Sequence, residues 1–291
     1  MFHVEQDMKT YNPTIKVKDH SVTGESFELL YDASRALLYT HPKPSDSALK
    51  DYYPTTNYIS HTNQRRSLFD FLYHAVRYVS TRRKLRLIKP FQPKQATLLD
   101  VGAGTGYFLR AAQKKGWTVT GIEPNPSARR LANSKAIHSV FDTSKLHELT
   151  EKSFDVITLW HVLEHLPNLE EDIKLFHKLL KPNGRIVVAV PNFKSFDAIY
   201  FKAHWAAYDV PRHLWHFSQE SIPKVFAAVQ MRLESTRPLP MDAFYVSLLS
   251  NKLKIGFYRV LNSLWIGLRS NLKAVASGEY SSLIYVLKNA N

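Results

Sequence analysis

Three glycines spaced two positions apart mark the part of this sequence with the clearest chemical potential. Gly102, Gly104 and Gly106 follow the apolar run 97–101, which has the composition of a buried parallel strand. Glycine suits such a turn because the backbone angles are unusual and a ligand must approach the main chain closely. The spacing is G-x-G-x-G, and Tyr107 stands where the dinucleotide fingerprint G-x-G-x-x-G has its third glycine.

Two acidic residues accompany this turn. Asp100 lies in the strand just before the first glycine, where it would repel a pyrophosphate but suit a cationic amino group. Glu123 ends the next predicted strand, 117–122, where a carboxylate is placed to accept hydrogen bonds from ribose hydroxyls.

Alternating strands and helices must position these residues. Further strands are predicted at 139–141, 154–160 and 185–190, with helical segments between them. Strands of about 5 residues that alternate with helices of about 10 to 12 argue for a doubly wound parallel sheet. In such a sheet the ligand lies at the carboxyl edge of the strands.

This series of motifs, over about residues 97–192, resembles the class I S-adenosylmethionine (SAM)-dependent methyltransferases. The resemblance implies an α/β fold with a Rossmann-like seven-stranded sheet, helices on both faces, and last strands at 232–237 and 281–288. It also implies SAM as cofactor and S-adenosylhomocysteine (SAH) as product. The cofactor-binding residues that it implies are Asp100, Gly102, Ala103, Gly104, Gly106, Tyr107, Glu123, Pro124, Asp142, Trp160 and His161.

The segment 193–218 is rich in aromatic residues and histidine and resembles a motif that the family places where substrates enter. We expect it to form a substrate lid. His213 and Asp209 in this segment, and His161 after the fourth strand, are the candidate catalytic bases. A base is needed only if the acceptor must lose a proton, as a hydroxyl does. His161 fits a wall of the cofactor pocket equally well.

Residues 1–62 resemble the N-terminal region of certain bacterial methyltransferases, in which a small zinc ribbon carries Cys-x-x-Cys pairs. This chain has no cysteine, and Asp32 and Arg35 occupy the positions of one pair. We therefore expect a metal-free β-rich cap with strands at 14–17, 25–30 and 36–39. Family analogy brings Tyr58 and His61 near the ligand. A histidine metal site in the lid is disfavoured because no added carboxylate stands at ligand spacing.

The chain has a net charge of +14, and basic residues concentrate in two stretches, 64–94 and 252–273. They favour attraction to nucleic acid, anionic lipid or an acidic small molecule, and a solvated helix face is the alternative. The second stretch lies in a helical insertion, 242–277, for which a lid or dimer face is favoured over interfacial membrane binding.

The predicted organisation is a cap, 1–62, and a methyltransferase domain, 63–291. The domain comprises basic flanking helices (64–94), a SAM-binding core (95–192), the lid and the insertion. With no apolar run near ~20 residues and a polar start, a cytoplasmic location is expected.

The predicted function is SAM-dependent methylation of a small molecule on O, C or N. The alternatives are an RNA methyltransferase recruiting its substrate through the basic helices, and a non-catalytic SAM-binding scaffold. The residues after the fourth strand, 159–162, lack the Asn/Asp-Pro-Pro-aromatic motif of methyltransferases acting on base amines, which weighs against that chemistry. The sequence does not indicate the acceptor or the oligomeric state.

Overall fold

The computed structural model describes residues 14–53, 68–134 and 138–290, without the side chains of Asp46, Lys50 and 68–76. Contacts group the described residues into two compact units. The major-sheet unit draws on Pro54–Val190, Phe226–Arg237 and Ile284–Asn291, and the minor-sheet unit on Met1–Tyr53, Pro191–Val225 and Pro238–Leu283. The predicted cap boundary at 62/63, Tyr58 and His61 lie outside the described residues, and the domain division stays a prediction.

Eleven strands lie in the described residues. They are β1 (Ile15–Lys18), β2 (Ser26–Asp32), β3 (Leu37–His41), β4 (Thr97–Val101), β5 (Thr118–Ile122), β6 (Val140–Phe141), β7 (Phe154–Trp160), β8 (Leu180–Pro191), β9 (Trp215–His216), β10 (Met231–Pro238) and β11 (Ser282–Asn289).

The α-helices of the same residues are α1 (Asp46–Leu49), α2 (Leu68–Ile88), α3 (Tyr107–Gln113), α4 (Pro126–Asn133), α5 (Leu169–Leu179), α6 (Phe196–Phe201), α7 (Ser221–Ala227), α8 (Pro240–Ile255) and α9 (Val260–Ser277). Short 3-10 turns join several of them. Among the described residues, no helix has the length and apolarity that crossing a membrane requires.

The major sheet has seven strands in the order β10-β11-β8-β7-β4-β5-β6. The pairs β4–β5, β4–β7, β5–β6 and β7–β8 are all parallel. The strands β4 and β7 lie near the middle and are almost wholly buried, which explains their continuous apolar sequences. The strand order reverses beside β4, and a crevice for a ligand forms at such a switch point. The predicted α/β fold and its seven-stranded sheet are confirmed.

Two local details differ from the sequence prediction. The strand predicted at 185–190 begins at Leu180 instead, and 181–184 are part of β8. Phe154 pairs with Leu180 but Val156 pairs with Arg185, so the extra residues form a bulge in one strand. The helical pattern after β7 yields only a 3-10 turn, Leu163–His165. Pro167 follows it closely, and proline does not continue a helix interior.

The minor sheet pairs β1, β2, β3 and β9 in that order, antiparallel throughout, and the three expected N-terminal strands are present. An aspartate closes each of its first two turns. Asp19, buried, accepts the backbone N–H groups of Ser21 and Thr23. In the β2–β3 turn Arg35 Nε donates to Asp32 Oδ2 at 2.6 Å. An ion pair thus joins the two positions where a zinc ribbon would have thiolates.

A buried carboxylate also organises the helical part of the minor-sheet unit. Asp197 in α6 is fully buried. The Trp205 indole N–H, Ser270 Oγ and Ser281 Oγ donate to its two oxygens at 2.8, 2.7 and 2.7 Å. These donors come from a loop, from α9 and from the segment before β11. One carboxylate therefore joins segments that are distant in sequence.

Asp197→Ala is expected to lower the free energy of unfolding by about 3 kcal/mol or more, because three buried donors lose their acceptor. Urea denaturation followed by tryptophan fluorescence measures the change. Glu220→Ala is the matched control: among the described residues this exposed carboxylate pairs with Lys194 and Lys224, and its removal should cost under about 1 kcal/mol. Equal losses in the two variants would contradict the role given to Asp197.

Candidate functional site

The glycine turn joins β4 to α3 and presents an open backbone. The N–H groups of Gly102 and Ala103 both donate to the Ile122 carbonyl, at 2.8 and 2.9 Å, which ties the turn to β5. Gly102 has a φ of 74°, and a Cβ there would collide with Val162. At Gly104, with φ 54°, a Cβ would meet nothing within 4 Å. Gly104 is therefore the point at which a ligand can lie directly against the main chain.

Glu123 stands at the end of β5 and holds this turn. Its side chain accepts the Gly104 N–H at 2.7 Å and the Asn125 N–H at 2.8 Å, and the residue is only 2% exposed. Burial raises its pKa, although the two hydrogen bonds act in the opposite direction. A carboxylate has about four acceptor positions, so two backbone donors do not exhaust it.

Asp100 is a second buried carboxyl group in the same unit. It is 2% exposed, and the Thr158 hydroxyl of β7 donates to it at 2.6 Å. Burial raises its pKa to about 7, while the Thr158 hydrogen bond and the charge of Lys84 act in the opposite direction. The group gains most from a cation, which would offset the cost of ionising it in a low dielectric.

Aromatic rings and two cations of α2 lie beside these acids. Lys84 Nζ lies 4.4 Å from the centroid of the Trp160 ring, and the Arg77 guanidinium carbon lies 4.3 Å from that of Tyr107. Phe108 meets Trp160 edge to face at 5.6 Å. The buried Trp160 Nε1 has no hydrogen-bond partner among the described residues. An indole N–H in such a position is a donor suited to a ligand.

The sequence interpretation missed Arg77 and Lys84 as site residues, because it counted them only as part of a basic stretch. Their separation of seven residues, two turns on one helix face, is the signal that was available. It becomes informative only once Tyr107 and Trp160 are known to face that side of α2.

The remaining residues of the implied cofactor set follow β5 and β6. Asp142 is exposed, and its Oδ2 lies 2.7 Å from Arg129 Nη1. The same guanidinium donates to the carbonyls of Glu123 and Pro124 at 2.7 and 2.9 Å. Arg129 therefore fixes the loop after β5 relative to the end of β6.

His161 begins the segment after β7 in a strained backbone conformation. Its φ is 58°, a region that residues other than glycine adopt at a cost and often at functional sites. Its N–H donates to the Ala189 carbonyl at 2.9 Å, and its Nδ1 lies 3.4 Å from Glu164 Oε1. The ring is partly exposed, which suits either a base or a pocket wall.

Asp209 and His213 belong to the minor-sheet unit. Arg212 donates to both oxygens of Asp209, at 3.0 and 2.6 Å, and to Asp19 at 3.0 Å. Burial lowers the pKa of Arg212, but the two carboxylates outweigh it and raise that pKa above its ordinary value. These contacts give Asp209 the geometry of a positioning residue, and its proposed role as a base stays a prediction.

His213 has a defined tautomer. Its Nδ1 lies 2.8 Å from the Ala207 carbonyl, which can only accept, so Nδ1 carries the proton and Nε2 is the acceptor in the neutral ring. The Thr40 hydroxyl donates to the His213 carbonyl at 2.7 Å and holds the backbone there. Sequence reasoning missed Thr40 and Asp19 in this cluster, because they come from the first strands of the chain.

Comparison with known proteins agrees with this architecture. The model of a methyltransferase-domain family matches residues 72–236, more than half of the chain. An uncharacterized methyltransferase of Alkaliphilus oremlandii is 35% identical over 106 residues, which cover 35% of this chain and 49% of that protein. A ubiquinone biosynthesis O-methyltransferase of Coxiella burnetii is 32% identical over 139 residues, 43% of this chain and 59% of the relative. The chain thus spans about half the length of the curated relatives it matches.

Solved structures share the fold at low identity. A SAM-dependent methyltransferase from Archaeoglobus fulgidus has a TM-score of 0.50 at 18% identity, over 77% of this chain and all of the other. The phosphoethanolamine N-methyltransferase 2 of Haemonchus contortus, solved with SAH, has a TM-score of 0.51 at 14% identity, over 72% and 53% of the two chains. The matched model, the relatives and the seven-stranded sheet agree: the chain belongs to the methyltransferase-domain family, among the class I SAM-dependent methyltransferases.

Proposed function

We propose that this chain catalyses methyl transfer from SAM to a small-molecule acceptor, with a hydroxyl oxygen as the first choice of acceptor atom. The observation that carries the proposal is the open backbone at Gly104, held by the buried Glu123 carboxylate at the carboxyl edge of parallel strands. The matched relatives include O-methyltransferases by name, which supports the choice of oxygen.

The residues of this edge suit SAM chemically. Glu123 offers acceptor positions to ribose hydroxyls, and Asp100 offers a carboxyl group to the amino acid end. Asp142 and Pro124, which follow β6 and β5, are the residues that we assign to the adenine, and Trp160 offers an aromatic wall with a buried N–H donor. SAM itself supplies an activated methyl group on a sulfonium. The protein therefore mainly has to hold nucleophile, methyl and leaving sulfur in line, an arrangement worth several kcal/mol.

An acceptor hydroxyl would need a base. His213 suits this task because its hydrogen bond to Ala207 leaves Nε2 as the acceptor nitrogen of the neutral ring. His161, with Glu164 beside its Nδ1, is the second candidate. A positioned imidazole contributes about 100-fold or more to such a step.

The RNA alternative draws less support. Arg77 and Lys84, two of the cations that motivated it, are stacked on the rings of Tyr107 and Trp160. Salt-dependent binding of RNA by the purified protein would favour this alternative, and measurable turnover on a small molecule would exclude the scaffold.

Glu123→Ala is expected to lower the affinity for SAH at least tenfold, ~1.4 kcal/mol, in calorimetric titration. Because Glu123 also holds the glycine turn, the loss alone does not isolate the ribose contact. The 2′-deoxy analogue of SAH isolates it: the wild type should prefer SAH, and the variant should bind the two ligands equally. Glu148→Ala, which removes an exposed acid of the same unit, is the control. An unchanged preference in Glu123→Ala would refute the ribose assignment.

SAM binding is expected to release a proton from Asp100 at a pH below its pKa of about 7. The carboxyl is neutral there in the free protein, and an ammonium group beside it favours the ionised form. Titrations in buffers of different ionisation enthalpy measure the released proton, which should vanish well above pH 7 and in Asp100→Asn.

The raised pKa of Asp100 also predicts how the stability of the free protein depends on pH. An acid with a folded pKa above its unfolded value destabilises the fold as pH rises from about 4 to about 7. Asp100→Asn should remove this component from the melting temperature. The assignment of Asp100 would be contradicted if the wild-type protein released no proton on SAM binding and its melting temperature had no pH-dependent component that Asp100→Asn removes.

His213→Ala is expected to lower kcat about 100-fold with little change in SAM affinity, because the proposal assigns His213 to the acceptor and not to SAM. A panel of phenols assayed for SAH release supplies the acceptor, and His147→Ala, at an exposed position of the major-sheet unit, is the control. Lost SAM binding with intact kcat would assign His213 to the cofactor site. If neither changes, His213 is a packing residue.

A further inference from the structure

The helices α8 and α9 expose an unusual amount of large apolar surface. Leu261, Trp265 and Val275 are 84%, 57% and 75% exposed. We call the whole exposed set the hairpin face; it comprises Met241, Tyr245, Phe257, Tyr258, Val260, Leu261, Leu264, Trp265, Leu268, Leu272 and Val275. Leu261, Leu264, Leu268, Leu272 and Val275 recur three or four residues apart and so share one side of α9. Exposed apolar surface of this kind on a folded protein marks a surface that meets a partner or a membrane.

The fully buried residues of the two helices are small or polar, apart from Ile266, which packs with the partly buried Val246 in the core of this unit. The buried residues of α8 are Ala243, Ser247, Ser250 and Asn251, and those of α9 are Ser263, Ile266, Gly267, Ser270 and Ala274. The helices approach closely: a Cβ on Gly267 would lie 2.9 Å from the Phe244 Cα. Asn251 Nδ2 donates to Ser263 Oγ at 2.8 Å between them.

This distribution inverts the ordinary pattern of a surface helix, in which apolar side chains face the core and polar ones face water. Small residues at the contact and hydrogen bonds between helices are the packing mode of helices surrounded by lipid. The inversion therefore indicates that the outer side of the hairpin meets an apolar environment.

The segment 240–277 carries five cations and one acid, Asp242 in the first turn of α8. Lys252, Lys254, Arg259, Arg269 and Lys273 are exposed, and 243–277 contains no acidic residue. None of the five forms an ion pair with a residue in the part of the chain that the structure describes. Several stack on aromatic rings instead, as Lys273 does on Phe196 at 4.3 Å and Lys252 on Tyr258 at 4.9 Å.

The positive charge of the hairpin face favours one kind of partner over the others. A second copy of the chain, meeting this face with the same face, would bring five cations against five. Nucleic acid would neutralise the cations but leave Leu261 and Leu264 without an apolar partner. An anionic phospholipid surface satisfies both, since acyl chains receive the apolar residues and headgroups the cations.

We propose that the hairpin face binds the surface of an anionic phospholipid bilayer, with α8 and α9 lying in the interface. Trp265, Tyr258 and Tyr245 then take the position that amphipathic aromatic side chains prefer in a membrane interface. This proposal differs from the lid or dimer face that the sequence favoured, which stays a prediction; the sequence alone does not reveal which side of each helix is buried.

The test is co-sedimentation of the full chain with vesicles of phosphatidylcholine alone or mixed with phosphatidylglycerol. The wild type should sediment with the anionic vesicles and much less with the neutral ones. Leu261→Glu and Trp265→Glu should each lower the partition coefficient at least tenfold, and Arg259→Gln about fivefold. Val22→Glu, at an exposed apolar position of the β1–β2 turn, is the matched control and should bind as the wild type does.

Two further measurements keep the outcomes distinct. Thermal melting and SAH calorimetry of each variant should match the wild type, because the substituted side chains are exposed and form no part of the proposed cofactor site. Equal binding to neutral vesicles, or vesicle binding that both glutamate variants retain, would overturn the proposal. The proposal would also be overturned if the wild type did not bind vesicles but formed a dimer in analytical ultracentrifugation, and if these substitutions dissociated that dimer.

Discussion

The hydrogen bonds that Glu123 accepts from Gly104 and Asn125 are the contacts on which the proposed cofactor site depends. A buried carboxylate is costly unless donors surround it, and here two backbone N–H groups stabilise it. Because these donors lie on both sides of the carboxylate, one side chain fixes the glycine turn against the end of β5. The open approach at Gly104, the capped start of α4 at Asn125 and the position of Arg129 all follow from that attachment.

Buried carboxyl groups are used in two different ways in this chain. In the minor-sheet unit, Asp19 and Asp197 are surrounded by donors from their own unit and join segments that are distant in sequence. In the major-sheet unit, Asp100 accepts a hydrogen bond from the Thr158 hydroxyl, and burial raises its pKa to about 7. The first arrangement stabilises the fold. The second leaves a carboxyl group that would be stabilised in its ionised form by a cationic ligand. The surrounding donors and the raised pKa thus distinguish the structural acids Asp19 and Asp197 from Asp100, the proposed binding acid.

Much of the fold could be predicted because its signals are local. Strand composition, the G-x-G-x-G turn and the acid at the end of β5 are contiguous in sequence, and each strand from β4 to β8 falls within a few residues of its expected position. The bulge that extends β8 through 181–184 could not be predicted, because it depends on the pairing of Leu180 and Arg185 with β7 on either side of those turn residues. The contacts of Arg77 and Lys84 depend on how α2 packs, which charge counting does not reveal. The buried sides of α8 and α9 could not be predicted either, because the leucines and cations of their sequence do not indicate which side of each helix packs inward.

The central claim is that SAM lies over the glycine turn, and the ten glycines of the chain offer a direct test. A sample labelled with 15N-glycine gives one amide signal per glycine, and the Gly104 N–H donates to Glu123. Addition of SAM should shift the signals of Gly102, Gly104 and Gly106 and leave Gly24, Gly256 and Gly278, which belong to the other unit, unchanged. Binding of SAM over the glycine turn would be contradicted if saturating SAM left the signals of Gly102, Gly104 and Gly106 in place, or shifted only those of Gly24, Gly256 and Gly278.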